Sequence, residues 1–259
     1  MSTDTIKDII QYFGIEESHM FGNIANLGND FFLIHNLDVL YRSCTELRPI
    51  DDRSLKMPIF LYLIVNAEFY NSISSYLRLH KAISFKCMRS ALDSAFTSYY
   101  LLKYPEKLDV YLSKLGDDKN KEMLKKWNKT FRNIKRTIND NIEEFPLAKG
   151  LPEIHEFCSI YSHSDALGIL HRYQEDKGSS MLLAKYFDYE EKHDDFHKWL
   201  ACVLVTYFNI WLLYWREVFI HIADNKLSEI ENRIVEFQKN LKSYTEKHPF
   251  EIPAVDGND

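Results

Sequence analysis

Apolar positions in this chain recur at steps of three and four residues, the spacing of one face of an α-helix. Ile6, Ile9, Ile10 and Phe13 mark a short helix over Thr3–Phe13, and Ile24, Leu27, Phe31, Ile34, Leu37 and Leu40 a longer one over Phe21–Leu47. After a turn at Pro49–Asp52, Arg53–Leu79 carries MPIFLYLIVNAEFY, apolar nearly all round and therefore a buried helix. Leu79-His80-Lys81 breaks the pattern before Phe85–Lys103, which Tyr104-Pro105 ends, because the residue before proline is pushed out of the α region. A short helix to Leu115 follows, then an amphipathic one over Asp117–Ile142 and a linker at Pro146–Pro152. Leu151–Ser162, Asp188–Ala223 and Leu227–Lys247 complete the helices. Ala166–Ala184, with Gly168 and Gly178, reads as a long loop, and no segment of useful length alternates with the period of a strand.

The stretch Phe85–Lys103 organises the rest. Lys86, Arg89, Ser90, Asp93 and Thr97 share one thin line on an otherwise apolar helix. Charges buried there would need partners, since an unpaired one costs roughly several kcal/mol. Glu68, the acid in the middle of the preceding helix, is the expected partner of Arg89. The expectation is an all-α, bundle-like single domain of about eight or nine helices over residues 1–248, its core within 53–223, followed by a disordered tail at 249–259. Trp199–Trp215 is uncharged for seventeen residues, the short end of a bilayer span, but Thr206, Tyr207 and Asn209 interrupt it. It reads as a core helix, and no membrane partner is expected.

Composition sharpens this picture. Only 8 Gly and 7 Pro in 259 residues leave few turns and long elements, which favours helices. A formal charge of −6 argues against a wholly basic nucleic-acid binder, though not against a local patch. Cys44, Cys87, Cys158 and Cys202 are dispersed with no CxxC pair, so a disulfide framework is not expected and a reducing, cytoplasmic compartment fits. No signal peptide is visible at the N terminus.

Several constellations carry candidate chemistry. His163, with Asp165 and after Tyr161 and Ser162, is placed to act as a general base or merely to close a helix end. Arg89 with Asp93 is either a phosphate-binding guanidinium held by a carboxylate or a structural pair. Arg216 and His221 match R-x4-H, but in a chain with ten Arg and ten His chance alone yields about one such match. Residues five apart also sit about 140° apart on a helix. His193 and His197, one turn apart, offer a weak metal pair with Asp194 between them, or simply an acidic first helical turn. Eight Lys and Arg between 119 and 136, with Trp127 and Phe131, make either a solvated face or a nucleic-acid surface. No phosphate-cradling glycine loop or other cofactor fingerprint is present, so no cofactor is expected.

Two segments carry a resemblance. Arg89-Ser-Ala-Leu-Asp93 running to Tyr99-Tyr100-Leu-Leu-Lys-Tyr-Pro-Glu106, and Phe157-Cys-Ser-Ile-Tyr161-Ser-His163, resemble a broad bacterial family of all-helical proteins of undefined activity, loosely grouped with HEPN-like domains. The resemblance covers roughly Leu55–Trp215 and carries over to Arg89, Asp93, Tyr161, Ser162 and His163. This chain departs from the family in having Asp rather than Glu at 93 and Ser164 where Pro is common. HEPN nucleases hold their Arg and His within one motif, whereas Arg89 and His163 are 74 positions apart. The resemblance implies a protein acting on RNA or nucleotides in stress or phage defence, and separately a homo-oligomer, a dimer, is expected. Metal-independent cleavage would have His163 take the 2′-hydroxyl proton and Arg89 hold the phosphate, giving a cyclic phosphate. On that reading Arg89, Asp93 and His163 meet in space. The rival expectation is a non-catalytic scaffold or dimerisation module in which the same residues only staple helices.

Overall fold

The computed structural model describes residues 8–45, 52–113, 121–162, 173–175, 182–184, 187, 193–223 and 226–251. The fold is all-α and bundle-like. Its α-helices are α1 (Ile9–Leu27), α2 (Phe31–Thr45), α3 (Arg53–Leu77), α4 (Lys81–Lys103), α5 (Leu108–Leu112), α6 (Lys121–Phe131), α7 (Ile134–Asp140), α8 (Leu151–Ser162), α9 (His193–Glu217) and α10 (Leu227–Lys247). Among the described residues nine of them have seven residues or more.

Local chemistry sets most boundaries. Asp8 caps α1 by accepting from the Gln11 N–H at 2.8 Å, and Asp52 caps α3 by accepting from the Ser54 N–H at 2.8 Å. α1 is longer than the pattern predicts, running through Gly14 and Gly22 without a break. The break falls instead at Gly28, whose φ of +52° favours glycine, and a 3-10 turn (Gly28–Asp30) leads into α2. The predicted break at 79–81 is present, and Leu79 takes φ +63° there, rare for a bulky side chain. Two further differences stand out. The amphipathic stretch over 117–142 divides at Arg132-Asn133 into α6 and α7. Inside the stretch read as a loop, β1 (Tyr173–Glu175) pairs antiparallel with β2 (Leu182–Ala184), with Gln174 opposite Leu183.

The core is organised around α3, α4 and α9. α3 and α4 form a long antiparallel hairpin, tied near its turn by Ser72 Oγ and Ser84 Oγ at 2.8 Å. α8 and α7 lie on α4, and α9 crosses α4, α2 and α3. α10 covers α2 and α9. The middle of α9 is buried on nearly every side, from Leu200 to Trp215. Buried aromatic groups make its polar ties: Trp211 Nε1 donates to the Leu40 carbonyl at 3.0 Å, Tyr41 Oη to Tyr207 O at 2.8 Å, and Tyr207 Oη to Glu68 O at 2.9 Å. By length and composition Asp194–His221 is apolar enough to cross a membrane, yet 78% of its most apolar 18 residues are buried within the fold.

Candidate functional site

The polar line of α4 lies at the edge of the core rather than inside it. Lys86 and Asp93 are exposed, and Arg89, Ser90 and Thr97 are half-buried. Lys86 and Asp93 therefore reach solvent, which corrects the expectation of a wholly buried polar line, whereas Nε of the half-buried Arg89 is shielded from solvent.

Arg89 and Asp93 stand one turn apart on α4, and both look toward α8. Asp93 Oδ1 lies 2.9 Å from Nε2 of His155, a residue that was not among the sequence candidates. His155 is 5% exposed, its Nδ1 is buried without a hydrogen-bond partner among the described residues, and its ring tilts against Phe96. A signal for it existed: His155 falls on the Leu151–Ile154–Cys158 stripe that α8 turns toward α4. The next residue, Glu156, is ion-paired to Lys135 of α7. The hydrogen bond from Lys135 holds the Glu156 carboxyl below its usual range, with smaller contributions from the charges of His155 and Arg89. Arg89 also lies within electrostatic reach of Cys158. Two carboxylates, two cations and one buried imidazole thus join α4, α7 and α8.

The other predicted residues scatter. Among the described residues no ion pair joins Glu68 to Arg89; Glu68 instead bonds to and acts electrostatically on Cys87, helping burial push that thiol up to about 12. Arg216 stands exposed in the last turn of α9, whereas His221 is exposed in a separate 3-10 turn, Phe219–His221, because the α-helix ends at Glu217. The R-x4-H pair is therefore divided between two elements. Ser162 ends α8, and His163 and Asp165 lie outside the described residues, as do the side chains of Tyr161 and His193. His197 is buried at the opposite end of α9's apolar run, with Nδ1 2.7 Å from Tyr244 Oη.

Next to the α4–α8 cluster lies the basic stretch. From 121 to 136 it holds seven Lys and Arg against Glu122 alone. Lys121, Lys125, Lys126, Lys129, Arg132 and Arg136 are exposed, while Phe131 is buried and Trp127 packs against the core. The aromatic residues belong to the core, and the cations form a face of their own. Lys126 pairs with Glu122 and Arg136 with Asp140.

The fold and this cluster define an all-helical protein with a cationic face beside an Arg–Asp–His centre. No protein-family model, curated protein or solved structure matches the chain.

Proposed function

We propose that the protein binds RNA or nucleotide phosphates on the α6–α8 face, and that His163 supplies the base for metal-independent cleavage there. The observation that carries this reading is the exposed run of cations on α6 and α7, which leads through Lys135 and Glu156 to the vicinity of Arg89. Guanidinium and ammonium groups without aromatic readout favour the sugar-phosphate backbone over base sequence. His155 has one nitrogen on Asp93 and the other buried, so it is a positioning residue: it pins α8, whose last residue, Ser162, precedes His163 in the sequence. Arg89 is the phosphate ligand in this scheme, and Asp93 orients α8 through His155.

The test is binding of labelled single-stranded RNA across a salt series, with cleavage followed in EDTA. Lys125→Glu/Lys129→Glu/Arg132→Glu should weaken binding by about tenfold or more and flatten the salt slope by roughly 0.7 per lost phosphate contact. His163→Ala should bind normally and not cut. A wild-type protein that fails to bind at low salt would end the RNA reading.

A second reading, a self-associating helical module, is favoured by an exposed apolar stripe on α3. Phe60, Leu63, Ile64 and Tyr70 recur at helical spacing and are 36–59% exposed. Light scattering on the same preparations decides it: a monomer at every concentration removes this reading.

A further inference from the structure

Three potential ligands far apart in the sequence meet at the end of the bundle away from Ala223. Asp30 closes the 3-10 turn before α2, His197 lies in the second turn of α9, and His248 caps the C terminus of α10. One donor atom from each lies within 4.8 Å of the other two. Both imidazoles are buried, and their rings stack with centroids 4.5 Å apart.

The arrangement of protons at His248 is the second observation. Its Nδ1 lies 2.8 Å from Asp194 Oδ1. An ionised carboxylate only accepts, so Nδ1 donates, and in the neutral tautomer of that ring the lone pair stands on Nε2. That Nε2 is buried without a hydrogen-bond partner among the described residues. A carboxylate behind an imidazole, with the far nitrogen left as a donor, is the device that fixes tautomer and orientation in histidine ligands. Asp194 is in turn held by Lys198 at 2.8 Å, and the His197 ring is held by Tyr244.

We propose that Asp30, His197 and His248 bind one divalent transition-metal ion of the zinc type. Two imidazoles and a carboxylate suit Zn²⁺ and its first-row neighbours, whereas Mg²⁺ and Ca²⁺ call for all-oxygen shells. Three protein donors leave a fourth position for water or a ligand. A groove of about 250 Å³ opens beside the cluster; Asp30 belongs to both, and Tyr244, the hydrogen-bond partner of His197, also lines it. Lys247 also lines that groove, so an anionic ligand suits the fourth position. The donors already lie within 4.8 Å of one another, and ion binding would draw them to roughly 3.4 Å, the edge of a tetrahedron with bonds of about 2.1 Å. This set keeps His197 and adds Asp30 from the α1–α2 turn and His248 from the end of α10, and it stands apart from the α6–α8 face.

The experiment uses the full chain, stripped with EDTA and titrated with Zn²⁺ and with Co²⁺. The expected result is one ion per chain, the visible absorption of a low-coordinate nitrogen and oxygen Co²⁺ site, and no competition from Mg²⁺. His248→Gln and Asp30→Asn should abolish that absorption. If either variant fails to fold by circular dichroism, Asp194→Asn, which keeps all three donors, decides: Zn²⁺ affinity should fall about 10–100-fold. Less than one ion per wild-type chain, a thiolate-to-cobalt band that places the ion on cysteine, or wild-type affinity in folded Asp194→Asn and His248→Gln would overturn the proposal.

Discussion

At the scale of single residues, burial governs reactivity more than neighbouring charge does. Cys44, Cys158 and Cys202 are buried and Cys87 is half-buried. Burial is the first cause in each case, pushing Cys44, Cys87 and Cys202 up to about 12 and Cys158 well above the ordinary thiol range. The thiolate is the nucleophile, and a thiol with a pKa near 12 is about 10⁻⁴ ionised at pH 8. Native protein at pH 8 should therefore resist a maleimide or a disulfide reagent for hours, then expose four thiols at once in denaturant. Fast labelling of Cys87 in the folded protein would show that its contact with Glu68 is absent in solution. The same scale explains why His155 escapes a reading of the sequence. A histidine on an apolar stripe has no local signature of its partner, and Asp93 is 62 positions away.

At the scale of elements, α9 carries the greatest consequence. Leu204 is fully buried, whereas Val235 on α10 is 66% exposed. Leu204→Ala removes buried apolar volume from a rigid surround and should cost about 2–5 kcal/mol. Val235→Ala should stay within about 0.5 kcal/mol, as surface changes usually do. Urea unfolding of the two variants beside the parent measures both values. A Leu204→Ala cost below that of Val235→Ala would mean that α9 is not the core helix. Elements also show where pattern misleads. The pattern divides this stretch into Thr3–Phe13 and a helix from Phe21, but the chain stays helical through Gly14 and Gly22 at a modest propensity cost. Gly28 ends the run because its backbone turns left-handed.

At the scale of the whole molecule, the core is full of hydroxyls that must stay protonated. Tyr41, Tyr62, Tyr76 and Tyr207 are raised well above the tyrosine range, with burial the first cause, and Tyr214 is raised likewise. A group whose folded pKa is raised stabilises the fold fully below its unfolded pKa and loses that contribution as pH climbs. Unfolded cysteine and tyrosine ionise near about 8.5 and 10. Stability should thus hold steady up to about pH 8.5 and fall progressively above it. Glu156 works in the opposite sense: its carboxyl is lowered, so its contribution is present above about 4.5 and fades as pH falls. The urea midpoint measured from about pH 2 to 11 checks both limbs, and an unchanged midpoint between pH 8 and 11 would contradict the buried tyrosine core.

The sequence by itself determined the helical class, the place of most helices and the apolar run that becomes α9. Those features are written in local periodicity, caps and the scarcity of glycine and proline, and local physics reads them directly. The split of 117–142, the small β1–β2 pair and the continuity of α1 were not legible, because each depends on what a segment packs against. The candidate sites belong almost wholly to the tertiary level. Arg89 and Asp93 could be picked out from their line on one helix, but their partners His155 and Glu156 come from another. Asp30, His197 and His248 come from three segments spread over 219 positions, from 30 to 248. Sequence spacing registers neighbours on one helix; only packing brings together side chains from different helices, and it is there that the chemistry of this protein was decided.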